Sequence, residues 1–455
     1  MKMIHIQQIA LLLLLGTVFP VVSCNKEYIN PSSASVPSVT TSPDALMNLC
    51  AGLQRRFTIG RQSPLYCAPV GGAYGVYALY TLNIGNTTEK ELETGKGAIT
   101  LNNSVVTQMW TQCLLGRTEA ETVLNNLDVA TEAGDRVGLK AYASIFYALN
   151  IGTLVQFYEH IPLATENNAA FSPRAEALQR VISVLESADA DLATTNPSAK
   201  FISRIPGTVP PGTTTRVPSI DMKNTVKALL ARYYNIQSMI TGTYDAAVGN
   251  KAIAAAAAAS QTIPSTFTFS TATTNPLGEW NATVNVFGAI DSTLGLRNGL
   301  APVPAASDPR VGFYISQTGP TTYPLKAFAL NTTAIYPVYL PGEMSLIMAE
   351  NYARQSQFVQ AKTALDAVRT KTTDVFGIGA SQPPYSGAMT MPALLTDIYK
   401  QRRLEMFISG QELEDSRRFG RPGPNQPGEE RNRNFYPYPL IERDNNVNTP
   451  ADPAI

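Results

Sequence analysis

Two segments of the sequence share a helix–turn–helix pattern that restricts the chain to a mainly α-helical fold. In each, an aromatic residue followed three positions later by alanine opens the second helix: Tyr244 and Ala247, then Phe358 and Ala361. Because alanine is small, it lets paired helices approach closely, as in tetratricopeptide-type hairpins. The pattern therefore predicts a scaffold of helical hairpins. The two segments are residues 222–259 and 342–371.

Residues 172–192 contain the clearest amphipathic helix, and a further helix starts after Ser42. Ser42 is a good N-cap, Pro43 suits the first turn, and Asp44 suits the helix dipole. Helical spacing places the apolar residues of 172–192 on one face. That face consists of Leu178, Val181, Ile182, Leu185, Ala188 and Leu192.

Long loops interrupt the helical pattern. Residues 260–341 are rich in Pro, Gly, Asn and Thr with short aromatic runs, and residues 197–219 form another Pro/Gly/Thr-rich segment. Such composition predicts irregular structure with a few short strands. Long ordered loops in a helical scaffold are usual places for binding surfaces, so we expect a ligand site there.

The N-terminus carries the pattern of an exported lipoprotein. Residues 1–23 combine Lys2 with a short apolar run and end in Val21-Val22-Ser23, directly before Cys24. This is typical of a signal peptide whose following cysteine is acylated, and lipid chains anchor a protein to a membrane without spanning it. The Ser/Pro/Thr-rich residues 24–43 then read as a flexible tether. No later stretch is apolar enough to span a bilayer.

Composition excludes several classes of function. Lys plus Arg is 35 and Asp plus Glu is 35, so the net charge of zero gives no reason to expect nucleic acid as a partner. The chain has only two histidines, which leaves little for a His-based metal site or Ser-His catalysis. With 15% charged residues and plentiful Asn, Gln, Ser and Thr, the surface suits neutral polar ligands.

The remaining cysteines, Cys50, Cys67 and Cys113, leave two alternatives open. An oxidising compartment would permit one disulfide and one free thiol, and three buried thiols are equally compatible with the sequence. No CxxC or EF-hand spacing is present, so no metal site is predicted, although calcium at an Asp/Asn loop stays open.

Sugar binding needs flat aromatic faces beside amide and hydroxyl groups. Trp280 lies in an Asn/Gly-containing loop beside Asn281 and Asn285, and Tyr74 follows a Gly-rich turn. We expect these four residues to contact the ligand. Trp110 lies at an amphipathic-helix position and is predicted to pack in the core.

The densest charges lie in "QRRLEMFISGQELEDSRRFGR", residues 401–421. Arg418 follows Glu414 by four residues and Asp415 by three, a spacing that pairs charges across one helical turn. Paired carboxylates have lowered pKa values, which is wrong for a general acid, and Glu412 belongs to the same cluster. We therefore interpret the segment as a helix, a break at Gly410, and a second short helix held by structural ion pairs.

Several segments, taken in order, resemble the SusD/RagB-like outer-membrane lipoproteins of Bacteroidetes. The resemblance covers residues 24 to about 450. It rests on Cys24 with "NKEYINPSS", "AYASIFYALNIGTLVQFYEHIPL" (141–163), "RVISVLESADADL" (180–192), Asp308-Pro309-Arg310, "EMSLIMAENYAR" with "ALDAVRTK" (343–371), "QRRLEMFISGQELEDSRRFG" (401–420) and "FYPYPLIERDNNVN" (435–448).

The resemblance implies a mainly α, tetratricopeptide-like scaffold with long loop insertions, built as one domain over residues 44–455. It also implies a lipid-anchored protein of the outer membrane, facing the extracellular side, without cofactor or catalysis. Such a protein captures its ligand and delivers it to a SusC-like TonB-dependent transporter. We expect a neutral oligosaccharide as the ligand, with a peptide as the alternative within the same family. The alternatives are a lipid-anchored glycan-degrading enzyme and a structural, pilus-like surface protein.

Overall fold

Helices dominate the computed structural model, which describes residues 40–296, 304–305 and 307–455. From Thr40 onwards these residues form one compact unit. The signal sequence, Cys24 and residues 24–39 of the tether lie outside the described residues. The helices are α1 (Pro43–Thr58), α2 (Pro64–Gly75), α3 (Thr87–Thr94), α4 (Ser104–Leu124), α5 (Ala133–Phe157), α6 (Arg174–Thr194), α7 (Ala199–Arg204), α8 (Met222–Gln237), α9 (Ala246–Ala258), α10 (Pro276–Gly278), α11 (Pro309–Tyr314), α12 (Pro341–Arg354), α13 (Phe358–Arg369), α14 (Met391–Glu405), α15 (Glu412–Arg418) and α16 (Leu440–Asn445).

The centre of the scaffold is α5, which packs against α4 on one side and α6 on the other. The amphipathic face predicted for 172–192 is buried throughout α6, as its 3.6-residue spacing requires. Ser42 caps α1 by accepting a hydrogen bond from the Ala45 N–H, and Pro43 is the first helical residue. In the described residues no helix is long and apolar enough to cross a membrane.

Both predicted hairpins are present, as the pairs α8–α9 and α12–α13. In the second, Ala361 is fully buried, as its position predicts. In the first, the expectation for Ala247 is wrong because that residue is exposed. Two residues later Gly249 is buried, and a Cβ there would lie 1.9 Å from the Tyr244 hydroxyl oxygen and 2.8 Å from the Asn351 Oδ1 on α12.

Within the described residues, four short antiparallel ribbons organise the loops. β1 (Leu79–Thr81) pairs with β7 (Phe287–Ala289), and β2 (His160–Pro162) pairs with β3 (Phe171–Pro173). The other pairs are β4 (Gly207–Thr208) with β5 (Val217–Pro218), and β6 (Thr266–Phe267) with β8 (Tyr336–Pro337). The loop-rich segment 260–341 thus contributes one strand to the β1–β7 ribbon and both strands of the β6–β8 ribbon.

Buried ion pairs attach the loop-rich segment to the helices. Arg310, fully buried, binds Asp308 at 2.8 Å and reaches across to Glu405 at 3.3 Å, at the end of α14. Arg232 on α8 binds Glu343 on α12 at 2.6 Å and also donates to the Val338 carbonyl of the loop-rich segment at 3.0 Å. Because a buried charge without a partner is costly, these pairs fix where the loops meet the scaffold.

Candidate functional site

The β1–β7 ribbon continues one step beyond its paired strands. Leu82 donates its N–H to the Val286 carbonyl at 2.9 Å, in the register that aligns Thr81 with Phe287. The same register places Asn83 opposite Asn285. Both asparagines are exposed, and Asn285 adopts a left-handed conformation (φ 58°), which asparagine tolerates better than most residues.

Val286, which follows Asn285, links this end of the ribbon to Trp280. Trp280 belongs to a π-helical turn, Glu279–Thr283, and its carbonyl accepts the Val286 N–H at 3.0 Å. The indole is half-buried. The Arg61 guanidinium carbon lies 4.6 Å from the ring centroid, and Tyr66 meets the ring edge-on at 6.0 Å. One part of the ring is therefore supported by the protein and another part faces solvent.

A buried carboxylate holds Arg61 in place. Glu89, with no exposed surface, accepts two hydrogen bonds from the Arg61 Nη2, at 2.7 and 2.8 Å. The Tyr66 hydroxyl donates to the same carboxylate at 2.9 Å, and burial raises the pKa of Tyr66 well above its ordinary value. The support beneath Trp280 is thus pre-organised before any ligand arrives.

We call Arg61, Asn83, Trp280 and Asn285 the Trp280 site. An indole supplies a flat apolar surface, two exposed amides supply donors and acceptors, and a guanidinium supplies donors only. Ile84, 79% exposed, extends the apolar surface next to Asn83. This set of groups suits a ligand with apolar faces and many hydroxyls, and it contains no general acid or nucleophile in reach of solvent.

Two of the expected ligand contacts are structural instead. Asn281 is 4% exposed; its amide donates to the Leu325 and Ala329 carbonyls at 2.9 and 2.8 Å, and its oxygen accepts the Leu325 N–H. Its side chain fixes the loop around residues 325–329 and has no group left for a ligand. Tyr74 is fully buried within α2, and its hydroxyl bonds Thr81 at 3.0 Å. The expectation for both residues is therefore wrong.

Trp110 packs in the core, as predicted. It is 1% exposed, stacks parallel to Phe171 at 5.9 Å, and donates its indole N–H to Glu442 at 2.9 Å. Cys50, Cys67 and Cys113 are buried free thiols, so of the two alternatives the structure has the unpaired one. Among the described residues no cluster of three His, Cys, Asp or Glu could hold a metal ion.

The charged segment 401–421 forms a buried network. Arg418 binds Asp415 at 2.7 Å, the i,i+3 pair that the sequence predicts, and Glu350 on α12 at 2.9 Å. Asp415 also accepts from Arg402 at 2.7 Å. Burial alone would raise the pKa of Glu350, but the charges of Arg418 and Arg354 lower it to about 2.

Glu414 departs from the predicted pairing. It binds Arg417 and, at 2.6 Å, Arg174 on α6, rather than Arg418. The i,i+4 spacing considers only residues of the same helix. In the folded protein, Arg174 from α6 binds this carboxylate instead. Arg174 and Arg417 also contact the Phe435 ring, at 5.2 and 4.2 Å from its centroid. Glu414 therefore joins α15 to α6.

Glu412 differs from Glu414 and Asp415, because its carboxyl group forms no ion pair within the described residues. It is 2% exposed, and its Oε2 has no hydrogen-bond partner among the described residues. Burial raises its pKa to about 7, although the Ser409 N–H donates to Oε1 at 2.8 Å. A raised pKa is typical of general acids, but this oxygen packs against Gly72, where a Cβ would lie 2.9 Å away. A substrate has no access to it.

Comparison with solved structures identifies the architecture. A SusD homologue from Bacteroides thetaiotaomicron VPI-5482 superposes with a TM-score of 0.67 at 14% identity, over 92% of this chain and 98% of that one. A SusD superfamily protein from Bacteroides fragilis gives 0.66 at 17% identity, over 90% and 99%. The chain has a SusD-like fold. The predicted mainly α, tetratricopeptide-like architecture is thereby confirmed.

Among the SusD-like structures is one described as a carbohydrate-binding protein, from Bacteroides vulgatus ATCC 8482. It superposes with a TM-score of 0.60 at 15% identity, covering 84% of each chain. No protein-family model matches the sequence, and no curated protein matches it. At this level of identity the SusD-like fold is shared, while the residues of a ligand site have to be argued from this chain alone.

Sequence reasoning missed Arg61 and Asn83. Asn83 carried a signal, because it opens the "NIGN" turn that follows a Tyr-rich strand. Its pairing with Asn285, 202 residues later, depends on the β1–β7 register, which no local pattern specifies. Arg61 carried no signal, since its role depends on a tertiary contact with Trp280.

Proposed function

We propose that the protein captures an oligosaccharide at the surface of the outer membrane and performs no chemistry on it. The observation that carries the proposal is the half-buried Trp280 ring, supported by Arg61 and linked through Val286 to the ribbon end that carries the exposed Asn83 and Asn285. Stacking on the indole removes the apolar face of a neutral pyranose from water, and the amides bond its hydroxyls. The SusD-like fold, shared with a carbohydrate-binding protein, supports this assignment.

The same proposal includes the anchor and the partner. Acylation at Cys24 would attach the protein to the outer membrane, with the binding domain on the extracellular side. A SusC-like TonB-dependent transporter would receive the ligand from the Trp280 site. The order of the sequence motifs and the SusD-like fold support this arrangement.

Catalysis is disfavoured by the placement of the acidic residues. Glycoside hydrolysis needs two carboxyl groups facing one cleft. Glu414 and Asp415 are buried and paired with arginines, and Glu412 is buried without access to solvent. Beneath Trp280, Glu89 is fully buried and occupied by Arg61. Glu279, which precedes Trp280, is half-buried and accepts a hydrogen bond from the Thr274 hydroxyl at 2.8 Å.

The experiment is a binding and turnover assay on the purified protein. It would be titrated calorimetrically with a panel of neutral oligosaccharides and, in parallel, with short peptides, and the mixtures would then be analysed for products. We expect binding to at least one neutral oligosaccharide series and no product. Binding to peptides alone would favour the peptide alternative, and product formation would establish a glycan-degrading enzyme instead.

A further inference from the structure

The outward face of α1 separates two open depressions that have no role in the Trp280 site. One, of about 460 Å³, lies towards Phe269; the other, of about 370 Å³, lies towards Gln112 and Glu119. Both volumes fall in the range of small-ligand sites, roughly 300–1,000 Å³. The two depressions share three residues of α1: Gly52, Arg55 and Ile59.

Gly52 opens a passage between the depressions. Residues 52, 55 and 59 follow the i, i+3, i+7 spacing of one helix face. A Cβ built on Gly52 would have no atom within 4 Å, so the helix surface there is bare. We call the two depressions and this passage the α1 groove. A ligand longer than one sugar ring would cross α1 at Gly52.

One positive charge in the α1 groove is left without a partner. Arg56 binds Glu119 at 2.5 Å and donates to the Gln112 oxygen at 2.9 Å. The charges of Arg56 and Glu119 therefore cancel. Arg55 is exposed and makes no side-chain hydrogen bond or ion pair within the described part of the chain. The groove therefore presents a single free guanidinium, which favours a carboxylate because Arg binds one through two parallel hydrogen bonds.

The rest of the groove is suited to a sugar. Phe269 is half-buried at the rim and precedes a tight turn in which Ser270 and Thr273 exchange backbone hydrogen bonds at 3.0 and 3.2 Å. Its ring is held in place and presents an apolar surface. Thr268, Ser270 and Thr273 line the same depression as Phe269 and supply hydroxyl groups, and Gln62 and Gln112 supply amides in the other depression.

We propose that the α1 groove is a second binding surface, for acidic sugar residues, with Arg55 binding the hexuronate carboxylate and Phe269 stacking on the ring. Gln62 directly follows Arg61, so the groove and the Trp280 site are neighbours along the chain. The inference rests on the proposed function, because it assumes a carbohydrate ligand. It adds that the ligands include uronic acids.

The test uses short oligomers of galacturonate, mannuronate and glucuronate, each with its methyl ester as an uncharged control of nearly the same shape. We expect at least one acid series to bind and its ester to bind less tightly. Arg55→Gln should weaken binding of the acid about tenfold, the scale of one lost charge-assisted pair, and remove the preference over the ester. Arg136→Gln, which changes an exposed arginine on α5, should leave the affinity unchanged.

A second variant separates binding from folding. Gly52→Leu should raise the melting temperature, because leucine favours the helix and meets no neighbour, yet it should block the passage and abolish binding of the acid. Binding unaffected by both Arg55→Gln and Gly52→Leu would overturn the proposal, as would the absence of binding by every acid series. Arg55-dependent binding of oligoglutamate in place of sugars would overturn the assignment to sugars.

These outcomes are distinct from a failure of the proposed function. If neutral oligosaccharides bind in a Trp280-dependent way while no acid series binds, only the α1 groove assignment fails. If neither panel binds, the capture of carbohydrate itself is wrong.

Discussion

The guanidinium carbon of Arg61 lies 4.6 Å from the centroid of the Trp280 ring, and the same guanidinium is fixed by the buried carboxylate of Glu89. The buried carboxylate of Glu89 therefore positions the guanidinium that supports the half-buried Trp280 ring. Binding sites gain affinity when their groups are ordered in advance, because less entropy is lost on association. The ring and its support act as one unit.

Replacing Arg61 with alanine tests this unit. We expect Arg61→Ala to weaken oligosaccharide binding several-fold, since the indole loses its support, and to lower the free energy of unfolding by about 2 kcal/mol, since Glu89 is left buried with only Tyr66 as partner. Calorimetry and chemical denaturation measure the two effects. Arg61→Lys keeps the charge but cannot form the bidentate contact. Its affinity and its free energy of unfolding should lie between those of the wild type and Arg61→Ala. Full affinity in Arg61→Ala would show that the ring needs no support.

Asp415→Ala should reduce stability without affecting the ligand. Its carboxylate is 2% exposed and serves both Arg402 and Arg418, so removal leaves two buried guanidiniums short of a partner, at a cost of about 3–5 kcal/mol. Thermal unfolding measures the loss, and calorimetry on the folded fraction measures affinity. Asp128→Ala removes an exposed partner of Arg136 and is the matched control with little effect. A large affinity loss without destabilisation would assign the cluster to the ligand site.

The raised pKa of Glu412 predicts that the stability of the protein declines as the pH rises. Its pKa is about 7 in the folded protein and ordinarily 4.5, so the folded state holds an extra proton between these values. The stability contributed by the neutral carboxyl is complete below about pH 4.5 and is lost as pH rises through 7. Denaturation across this range should show the decline, and Glu412→Gln should remove it and stabilise the protein by about 3 kcal/mol at pH 8. An unchanged pH profile in the variant would contradict the assignment.

The anchor is tested by Cys24→Ala. If the cysteine is acylated, its removal should move the protein from the membrane fraction to the soluble fraction. Cys50→Ala, which removes a buried thiol from α1, is the control and should stay with the membrane. Membrane retention of Cys24→Ala would count against lipidation.

The scaffold was predictable because its signals are local. The apolar spacing of α6 and the cap at Ser42 specify their elements from a few adjacent residues. The Gly-rich stretch before Tyr74 misled for a physical reason: Gly71 and Gly72 look like a loop, yet they form part of buried α2. A Cβ on Gly72 would lie 3.3 Å from the Gly410 backbone, so glycine serves close packing there.

The site was only half predictable. Trp280 and Asn285 stay predicted ligand contacts, because an aromatic ring in an Asn-rich loop favours exposure and both residues are at least partly exposed. Asn281 has the same local sequence and the opposite role, since the π-helical turn directs it towards the Leu325 and Ala329 carbonyls. Asn281 lies within the π-helical turn and Asn285 lies beyond it in a left-handed conformation, and composition carries no such information.

The central claim is that Trp280 forms the sugar-binding surface. The direct measurement is calorimetric titration of wild type, Trp280→Ala and the control Tyr352→Ala, a half-buried aromatic of the second hairpin, with the tightest neutral oligosaccharide. Loss of one stacked ring should weaken binding by at least about tenfold in Trp280→Ala and leave Tyr352→Ala unchanged. Wild-type affinity in folded Trp280→Ala would contradict the claim.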